Sequence, residues 1–452
     1  MPPLRPARRL PLLGTALTSV GLLIAVCAGP AAAAPLTSST TPDHARSAHL
    51  QPAGAPKPGA DGGRAKGSKE TRALVDIPAD VTAGVAVFDR LTGGFTEMHQ
   101  ADRPFRAASV VKLLLALDFL WNRGPAYDLP QADRDRLDAM LSSSDDAAAN
   151  HYWSTGGGSA VITRMVPRLG LTGTAPSPAG YPGYWGYTAT TAADTVRVYR
   201  FLLDDAPPPV RDFVLGALRR STRCAADGFD QYFGLPSAFD APGTVKQGWS
   251  GFTSGGCGGA TMAPAGVPGT SPGTSVPGDG TARAESRAMP AGSTAPSTRP
   301  SPPPSTDAAA PALDLTSDAL HTTGTVGPGD RTIVAVLTLH PDGTPYGAAY
   351  SKVTSLTGSL NVPGAVRPSG TRFATWGSGV RVRAAATTSA AALTTLPAGV
   401  DVLVGCQQQG GRVSVPPYVN DWWAYLPQYG GWITNVYISS PGNTLPDVPR
   451  CS

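Results

Sequence analysis

The sequence has few lysines and little net charge. It contains 36 Lys and Arg residues, of which six are Lys and the remaining thirty are Arg, and its formal net charge is +4 over 452 residues. No run of basic residues with interleaved aromatic residues occurs. Because nucleic acids are bound by such basic patches, a nucleic-acid partner is not expected.

Long apolar runs are also missing, except at the start of the chain. Residues 1–33 combine a basic beginning, an apolar stretch through Val26 and a cluster of alanines, which is the layout of a secretory signal peptide. We therefore expect an exported protein that has no membrane association after cleavage. A lipid anchor on Cys27 is disfavoured, since Val26 stands where such signals need a small residue.

Cysteine is scarce, and the few that are present occur in an even number once Cys27 is removed with the signal peptide. In an exported protein this favours disulfides. Of the three possible pairings, only Cys224 with Cys257 and Cys406 with Cys451 keeps each bond within one folded unit. Neither an HExxH nor a CxxC motif occurs. We therefore expect no metal and no other cofactor.

Glycine and proline divide the chain into units. With 53 Gly and 46 Pro, three segments are too poor in apolar periodicity to fold on their own. They are a disordered linker at 34–73, a low-complexity insertion at 258–311 and a second linker at 351–371. The folded units are then 74–350, which contains the insertion, and 372–452.

The first unit combines strands and helices. The segments "GVAVFDR" and "GFTEMHQ" flank an "LTGG" turn and predict a hairpin, and "GTVKQGWSGF", "ALHTTGTV" and "RTIVAVLTLH" predict strands. Apolar spacing predicts helices over three ranges, Ala107–Trp121, Asp133–Trp153 and Thr190–Leu203. The second unit shows only short strands with closely spaced turns, which predicts a small all-β barrel.

The stretch "AASVVKLLL" places Ser109 and Lys112 three residues apart in an apolar helix. Residues i and i+3 share a helix face, so a hydroxyl and an amine can lie side by side. A Ser becomes a nucleophile when a base takes its proton, and a buried Lys can lose its own proton whereas Arg cannot. Alone, the pair also fits a Lys that extends from a helix end to solvent. Two later stretches, "SSDDAAAN" and "VKQGW", follow it in order.

With these three stretches, residues 74–350 resemble the penicillin-recognising serine hydrolases, the class A β-lactamases and penicillin-binding proteins, whose motifs are SxxK, SDN and KTG. The resemblance implies an α+β fold, an antiparallel sheet with helices and a helical subdomain. It also implies Ser109 as the acylated nucleophile and Lys112 as its base. Ser144 would relay a proton to the leaving nitrogen, and Lys246 would hold the substrate carboxylate.

The resemblance further implies substrate-binding roles on the "VKQGW" strand. Gln247, which replaces the Thr of KTG, can still donate to a carboxylate through its amide. Gly248 follows it, and the backbone N–H groups of Trp249 and Ser109 would form the oxyanion hole.

One departure from the family pattern is Asp146, which replaces the Asn of SDN in the substrate-binding part of the site. An ionised carboxylate has no proton to donate to a substrate carbonyl. It could pair instead with Lys112, hold that amine charged and slow the chemistry.

Another departure concerns deacylation. The loop "GTAPSPAGYPGYWGY" at 173–187 stands where class A enzymes carry a Glu that activates water, and it has no Glu or Asp. An acyl group on Ser109 should therefore be long-lived. Tyr184, Trp185 and Tyr187 of this loop either line the substrate cleft or pack down as anchors.

Residues 372–452 resemble the bacterial SH3-type domains of exported proteins, which implies binding to the cell wall. Five aromatic residues could form a binding platform or fill the core of a small barrel, and most are expected in the core. They are Trp422, Trp423, Tyr425, Trp432 and Tyr437.

Together these observations predict a secreted, cell-wall-associated monomer that acts as a serine acyl-enzyme. Its substrate would be a β-lactam or a peptidoglycan-type peptide, with slow deacylation. Two alternatives stay open. One is a non-catalytic wall-binding protein that retains the fold, and the other is an esterase or amidase that uses the same Ser and Lys.

Overall fold

The computed structural model describes residues 75–121, 123–253, 255–257 and 312–452. The signal peptide predicted at 1–33, the linker at 34–73 and the insertion at 258–311 lie outside the described residues. In the part that is described, no helix is both long and apolar enough to cross a membrane. The same residues contain no group of His, Cys, Asp and Glu side chains that would hold a metal ion.

The first part of the fold alternates between strands and helices, as the sequence predicts. In chain order its elements are β1 (Thr82–Asp89), β2 (Gly94–His99), β3 (Phe105–Arg106), α1 (Lys112–Trp121), α2 (Gln131–Ser142), α3 (Asp146–Thr155), α4 (Ala160–Leu169), β4 (Ala189–Thr190), α5 (Ala192–Arg200), α6 (Pro208–Arg219), α7 (Leu235–Ala238), β5 (Thr244–Ser250), β6 (Asp318–Val326), β7 (Thr332–His340) and α8 (Tyr346–Ser359).

A five-stranded antiparallel sheet in the order β2-β1-β7-β6-β5 forms the centre of this part. Alternate residues of β1 face opposite sides, as the pleat requires. Ala86 and Phe88 join the core formed with α1 to α6, whereas Val85 and Val87 join a second core with Leu356 of α8. Helices therefore cover both faces of the sheet.

Helix α1 lies in the middle of the helical layer. Its residues are apolar on almost every side, which is typical of a helix buried all round. The exceptions are Lys112, its first residue, and Asp118, which accepts hydrogen bonds from Arg164 at 2.6 Å and Arg168 at 3.0 Å on α4. This pairing ties α4 to α1 and fixes the orientation of the helix that follows Lys112.

The helix predicted over Asp133–Trp153 is two helices, α2 and α3. They are separated at Ser143–Asp145, where Ser144 has a φ of 57°, a left-handed conformation that ends α2. Asp145 then caps α3, since its carboxylate accepts from the backbone N–H of Ala148 at 2.7 Å. The break leaves Ser144 in a short turn between two helices.

The linker predicted at 351–371 is wrong over its first half, because α8 continues to Ser359. Tyr350, Val353 and Leu356 on this helix are buried. The sequence "YGAAYSKVTSLTGS" is rich in small and hydroxyl-bearing residues, so its composition resembles a linker although it packs on the sheet. The connection between the two parts is therefore shorter, at about 360–370.

The C-terminal part is all-β, as predicted. Its strands are β8 (Thr371–Ala374), β9 (Val380–Arg383), β10 (Ala392–Leu396), β11 (Asp401–Val404), β12 (Cys406–Val415), β13 (Tyr418–Leu426) and β14 (Gly431–Thr434). Five of them form a sheet in the order β10-β9-β14-β13-β12, and β11 pairs with β8. Both predicted disulfides are present, Cys224 with Cys257 and Cys406 with Cys451.

The two parts share one hydrophobic core. Separate domains joined by a linker would each have a core of their own. Tyr346 and Tyr350 of α8 lie in the same cluster as Phe229 before β5 and Leu426 of β13. The described residues from 75 to 452 accordingly form one compact unit. Arg223 adds a polar contact, with its guanidinium 3.5 Å from the ring centre of Tyr429 in the C-terminal part.

Two buried histidines make the stability of this fold depend on pH. Burial lowers the pKa of His321 to about 4, below its ordinary value of 6.5, and it does the same for His340. Between these values the unfolded chain binds more protons than the folded one. The contribution of these two histidines to the free energy of unfolding is therefore fully present above pH 6.5 and is lost as the pH falls toward 4.

We expect the titration of His321 alone to lower the free energy of unfolding by about 2 kcal/mol when the pH falls from 7 to 5. Urea denaturation at both pH values measures the difference, and His321→Gln should reduce it by that amount. His151→Gln, on a side chain that is not fully buried, is the matched control and should leave it unchanged. An equal pH dependence in wild type and His321→Gln would show that His321 is not responsible.

Candidate active site

Ser109 lies in a single 3₁₀ turn, Ala108–Val111, that runs directly into α1. Ala108 has a φ of 45°, an uncommon conformation for a residue other than Gly, and such strain is often stored beside functional side chains. The chain before the turn is held on the sheet, since the ring of His321 donates through Nε2 to the carbonyl of Arg106 at 2.8 Å. The hydroxyl of Ser109 is therefore fixed at the head of α1.

Lys112 is fully buried and its amine is surrounded by acceptors. Its Nζ donates to the carbonyl of Ser144 at 2.6 Å, to Oγ of Ser144 at 3.2 Å and to Oδ1 of Asp146 at 2.6 Å. Three acceptors match the three donors of an ammonium group. The pairing of Asp146 with Lys112 that the sequence suggested is thus present in the structure.

Lys246 on β5 reaches the same place from the sheet. Its Nζ donates to Oγ of Ser144 at 2.9 Å, so this hydroxyl connects the two amines. Burial, followed by the positive charge of Lys112, lowers the pKa of Lys246 well below its ordinary value. The surroundings of Lys246 therefore favour the neutral amine, which can accept a proton.

Ser109 does not contact the amine of Lys112 in the way that the SxxK spacing suggested. Among the described residues, no hydrogen bond joins the Ser109 hydroxyl to Lys112 or to Lys246. Lys112 is turned instead toward Ser144 and Asp146. The helix places hydroxyl and amine on neighbouring positions, but the carboxylate determines where the amine points.

Gly248 allows β5 to approach the nucleophile. A Cβ at this position would lie 3.1 Å from the carbonyl oxygen of Ala107 and 3.3 Å from the backbone nitrogen of Ser109. These distances are shorter than ordinary van der Waals contacts, so a side chain here would push β5 away from the turn that contains Ser109. Gly at this position allows the strand and the turn to pack closely. The substrate-binding role expected for Gly248 stays a prediction.

The substrate-binding role predicted for Gln247 is wrong. Its side chain is buried, and its amide donates to the carbonyls of Gln231 at 2.9 Å and Phe233 at 2.6 Å. Successive residues of a strand face opposite sides, and Lys246 already faces Ser144. Gln247 therefore faces away from the site, and it holds the segment before α7 against β5.

Trp249 faces the same side as Gln247 and anchors β5. Its ring stacks on Phe229, with ring centres 5.5 Å apart, and its indole N–H donates to the carboxylate of Asp227 at 3.1 Å. The predicted oxyanion role of Trp249 concerns its backbone N–H and stays a prediction. Asp227 fixes the strand that carries this group.

Sequence reasoning missed Asp227 and His321, two residues that position the site. Burial raises the pKa of Asp227, and the nearby negative charge of Asp146 acts in the same direction. Asp227 stands in an irregular loop after Cys224, and His321 stands in a strand whose partner is not known from sequence. No local pattern identifies either residue.

The aromatic loop before α5 contributes one anchor directly beside the lysines. Trp185 is fully buried, and its indole N–H donates to Oδ1 of Asn150 at 2.8 Å. The amine of Lys112 lies 4.9 Å from the centre of its ring. Tyr184 and Tyr187 stack on each other 5.1 Å apart. Of the two alternatives for this loop, Trp185 thus fits that of an anchor.

No family model matches the chain. A curated relative is "Putative lipoprotein LppW" from Mycobacterium bovis, which is 35% identical over 173 residues. A protein of the same name from Mycobacterium tuberculosis shows the same identity. The match covers 37% of this chain and 54% of the relative, so the chain spans about half the length of the curated relatives it matches.

Solved structures that are similar to the chain include PBP-A and β-lactamases. PBP-A is 15% identical, covering 64% of this chain and 91% of that one, with a TM-score of 0.39. A class A β-lactamase from Mycobacterium abscessus is 17% identical over 61% of this chain and 91% of that one, with a TM-score of 0.37. A β-lactamase from Streptomyces albus G is 18% identical over 62% and 95%, with a TM-score of 0.36.

Proposed function

We propose that this protein is an exported serine acyl-enzyme of the β-lactamase and penicillin-binding type, with Ser109 as its nucleophile. The proposal rests on one observation. The amines of Lys112 and Lys246 both donate to the hydroxyl of Ser144, and Lys112 is the first residue of α1, the helix that follows Ser109. Three motifs far apart in the sequence supply these groups. A purely structural role would not require two buried lysines on one hydroxyl, because each buried amine costs desolvation energy.

In this proposal the proton of Ser109 leaves through Ser144 to Lys246. No hydrogen bond joins the hydroxyls of Ser109 and Ser144 among the described residues, so the first contact of this path forms when the substrate is bound. Ser109 Oγ bonds to the acyl carbon, and its proton passes along the Ser144 hydroxyl to the neutral amine of Lys246. The same hydroxyl then returns a proton to the leaving nitrogen as the acyl–nitrogen bond breaks. Lys112, paired with Asp146, supplies positive charge next to this path and does not act as the base.

Deacylation is slow in this proposal. The ring of Trp185 occupies the space next to the amine of Lys112. An indole ring has no basic group to take a proton from water. With no Glu or Asp in the 173–187 loop, an acyl group on Ser109 waits for unassisted hydrolysis or for another acceptor.

The substrate class is a β-lactam or a peptidoglycan-type peptide, and the site of action is outside the cytoplasm. The signal-like start of the chain and the two disulfides support export. A relative whose name calls it a lipoprotein fits the same location. The proposal also includes binding to the cell wall through residues 372–452.

A second candidate is a non-catalytic wall-binding protein with the same fold. It is favoured by the 2.6 Å ion pair between Asp146 and Lys112, which removes the amine next to Ser109 from the reaction. In that case the lysines would remain only as a binding site for an anionic ligand.

Covalent labelling by a fluorescent penicillin tests the proposal. The wild-type protein should become labelled, and Ser109→Ala should show no label because the bond to the acyl carbon cannot form. Ser142→Ala is the matched control, since Ser142 is a buried hydroxyl on α2 that donates within its own helix to Asp138. Equal labelling of wild type and Ser109→Ala would remove Ser109 as the nucleophile, and no labelling of the wild type would favour the second candidate.

A further inference from the structure

A groove on the C-terminal part has the features of a ligand site that the proposed acylation does not use. It encloses about 430 Å³ beside the start of β13 and the segment after β14. Its walls include Trp376 and Tyr418, with Asn420, Asn435 and Asn443 between them. The groove therefore combines two large aromatic rings with several amide side chains.

The two aromatic side chains are exposed although they could pack inward. Trp376 is 45% exposed and Tyr418 is 59% exposed, and their ring centres lie 5.8 Å apart. Trp376 is not loose, since its indole N–H donates to the carbonyl of Val436 at 2.9 Å. A Trp side chain that is held by a hydrogen bond and still largely exposed is typical of a binding surface rather than of a core.

The amide side chains of the wall differ in how accessible they are. Asn435 is 3% exposed, and its Nδ2 donates to the carbonyl of Asn443 at 3.1 Å and to Oε1 of Gln407 at 3.3 Å. These bonds hold the polar wall of the groove in place. Asn443 is exposed, so its amide can reach a ligand in the groove.

The charge of the lining indicates which ligand fits. Among the described residues that line the groove, none is Asp, Glu, Lys or Arg. A peptide with free carboxylate or amino groups would bury those charges without counter-charges, which is unfavourable. A sugar ring instead offers apolar C–H faces for aromatic rings and hydroxyl groups for amide oxygens, and it carries no charge.

We propose that this groove binds a neutral oligosaccharide, with Trp376 and Tyr418 stacking on sugar faces and the amide of Asn443 bonding to sugar hydroxyls. The inference gives a ligand class to the wall association proposed above and does not depend on acylation at Ser109. Its two aromatic residues are not among the five considered from the sequence, most of which were expected in the core. Trp423 is buried and donates to the carbonyl of Gly411.

Isothermal titration calorimetry of the exported chain with the β-1,4-linked tetramer of N-acetylglucosamine tests this groove. We expect binding by the wild type that Trp376→Ala and Tyr418→Ala each weaken about tenfold or more. Trp432→Ala is the matched control, because Trp432 packs on Tyr425 at 5.2 Å and does not line the groove. Circular dichroism melting shows that each variant is folded.

Three results would overturn the inference. They are no heat of binding at millimolar tetramer, equal binding by the wild type and Trp376→Ala, and binding of an uncapped cell-wall stem peptide in place of the saccharide. Penicillin labelling is measured separately on the wild-type chain. Saccharide binding without labelling would contradict only the proposed acylation, and labelling without saccharide binding would contradict only the groove.

Discussion

Replacing Asp146 with Asn should raise the rate at which penicillin acylates Ser109 by about a hundredfold. The carboxylate of Asp146 lies 2.6 Å from the amine of Lys112 and holds it in a charged, three-fold hydrogen-bonded arrangement. An amide at the same place removes the negative charge and offers an N–H to a substrate carbonyl. Both changes favour attack, since a second group near Ser109 becomes able to take a proton.

The rate is measured as the second-order rate constant for labelling by a fluorescent penicillin. Asp145→Asn is a closely matched control, because it removes the same charge one residue earlier and Asn also caps helices well. Among the described residues, the carboxylate of Asp145 accepts from the backbone N–H of Ala148 and from no side chain, so this variant should leave the rate unchanged. A slower Asp146→Asn variant would mean that the carboxylate assists the reaction, and an equal effect of both variants would mean that only net charge matters.

Removing residues 372–452 should unfold the rest of the protein. Tyr346 and Tyr350 of α8, together with Phe229 and Phe233, lie in a cluster whose other side comes from the C-terminal strands. Exposing these rings costs about 5 kcal/mol or more in hydrophobic free energy. That is comparable to the whole stability of a typical domain, about 5–15 kcal/mol. The shortened chain should therefore lack a cooperative thermal transition.

Differential scanning calorimetry of the full and shortened chains measures this effect. The control is a chain with a protease site inserted after the exposed Ser369 and then cleaved, which breaks the connection but keeps both pieces. Because the shared core remains, the cleaved protein should still melt in one transition. A shortened chain with an unchanged melting temperature would show that the two parts are independent domains.

The sequence predicts the strands of the central sheet because their patterns are local. β6 and β7 lie where "ALHTTGTV" and "RTIVAVLTLH" indicate strands. Composition wrongly predicted a linker over the second half of α8, because the many small and hydroxyl-bearing residues of this helix make its buried face hard to recognise. The shared core was equally invisible, since the contact between Phe229 and the C-terminal strands joins residues far apart in the sequence.

The sequence predicted which residues form the candidate site better than it predicted which of these residues contact each other. The motif order brought Ser144 and Lys246 to the same place, and the SxxK spacing put Lys112 nearby. The error at Gln247 could have been avoided, because the alternation of a strand places it opposite Lys246. The sequence indicated the pairing of Lys112 with Asp146, whereas the hydrogen bond of Lys112 to the carbonyl of Ser144 depends on a turn that only the folded backbone defines.

The mass of the intact protein after exposure to benzylpenicillin tests the central claim most directly. The account predicts that the wild type gains the mass of one penicilloyl group and keeps it for hours after the free drug is removed. Ser109→Ala should gain nothing. A wild-type protein that never gains this mass, or that gains and loses it within seconds, would contradict a long-lived acyl-enzyme at Ser109.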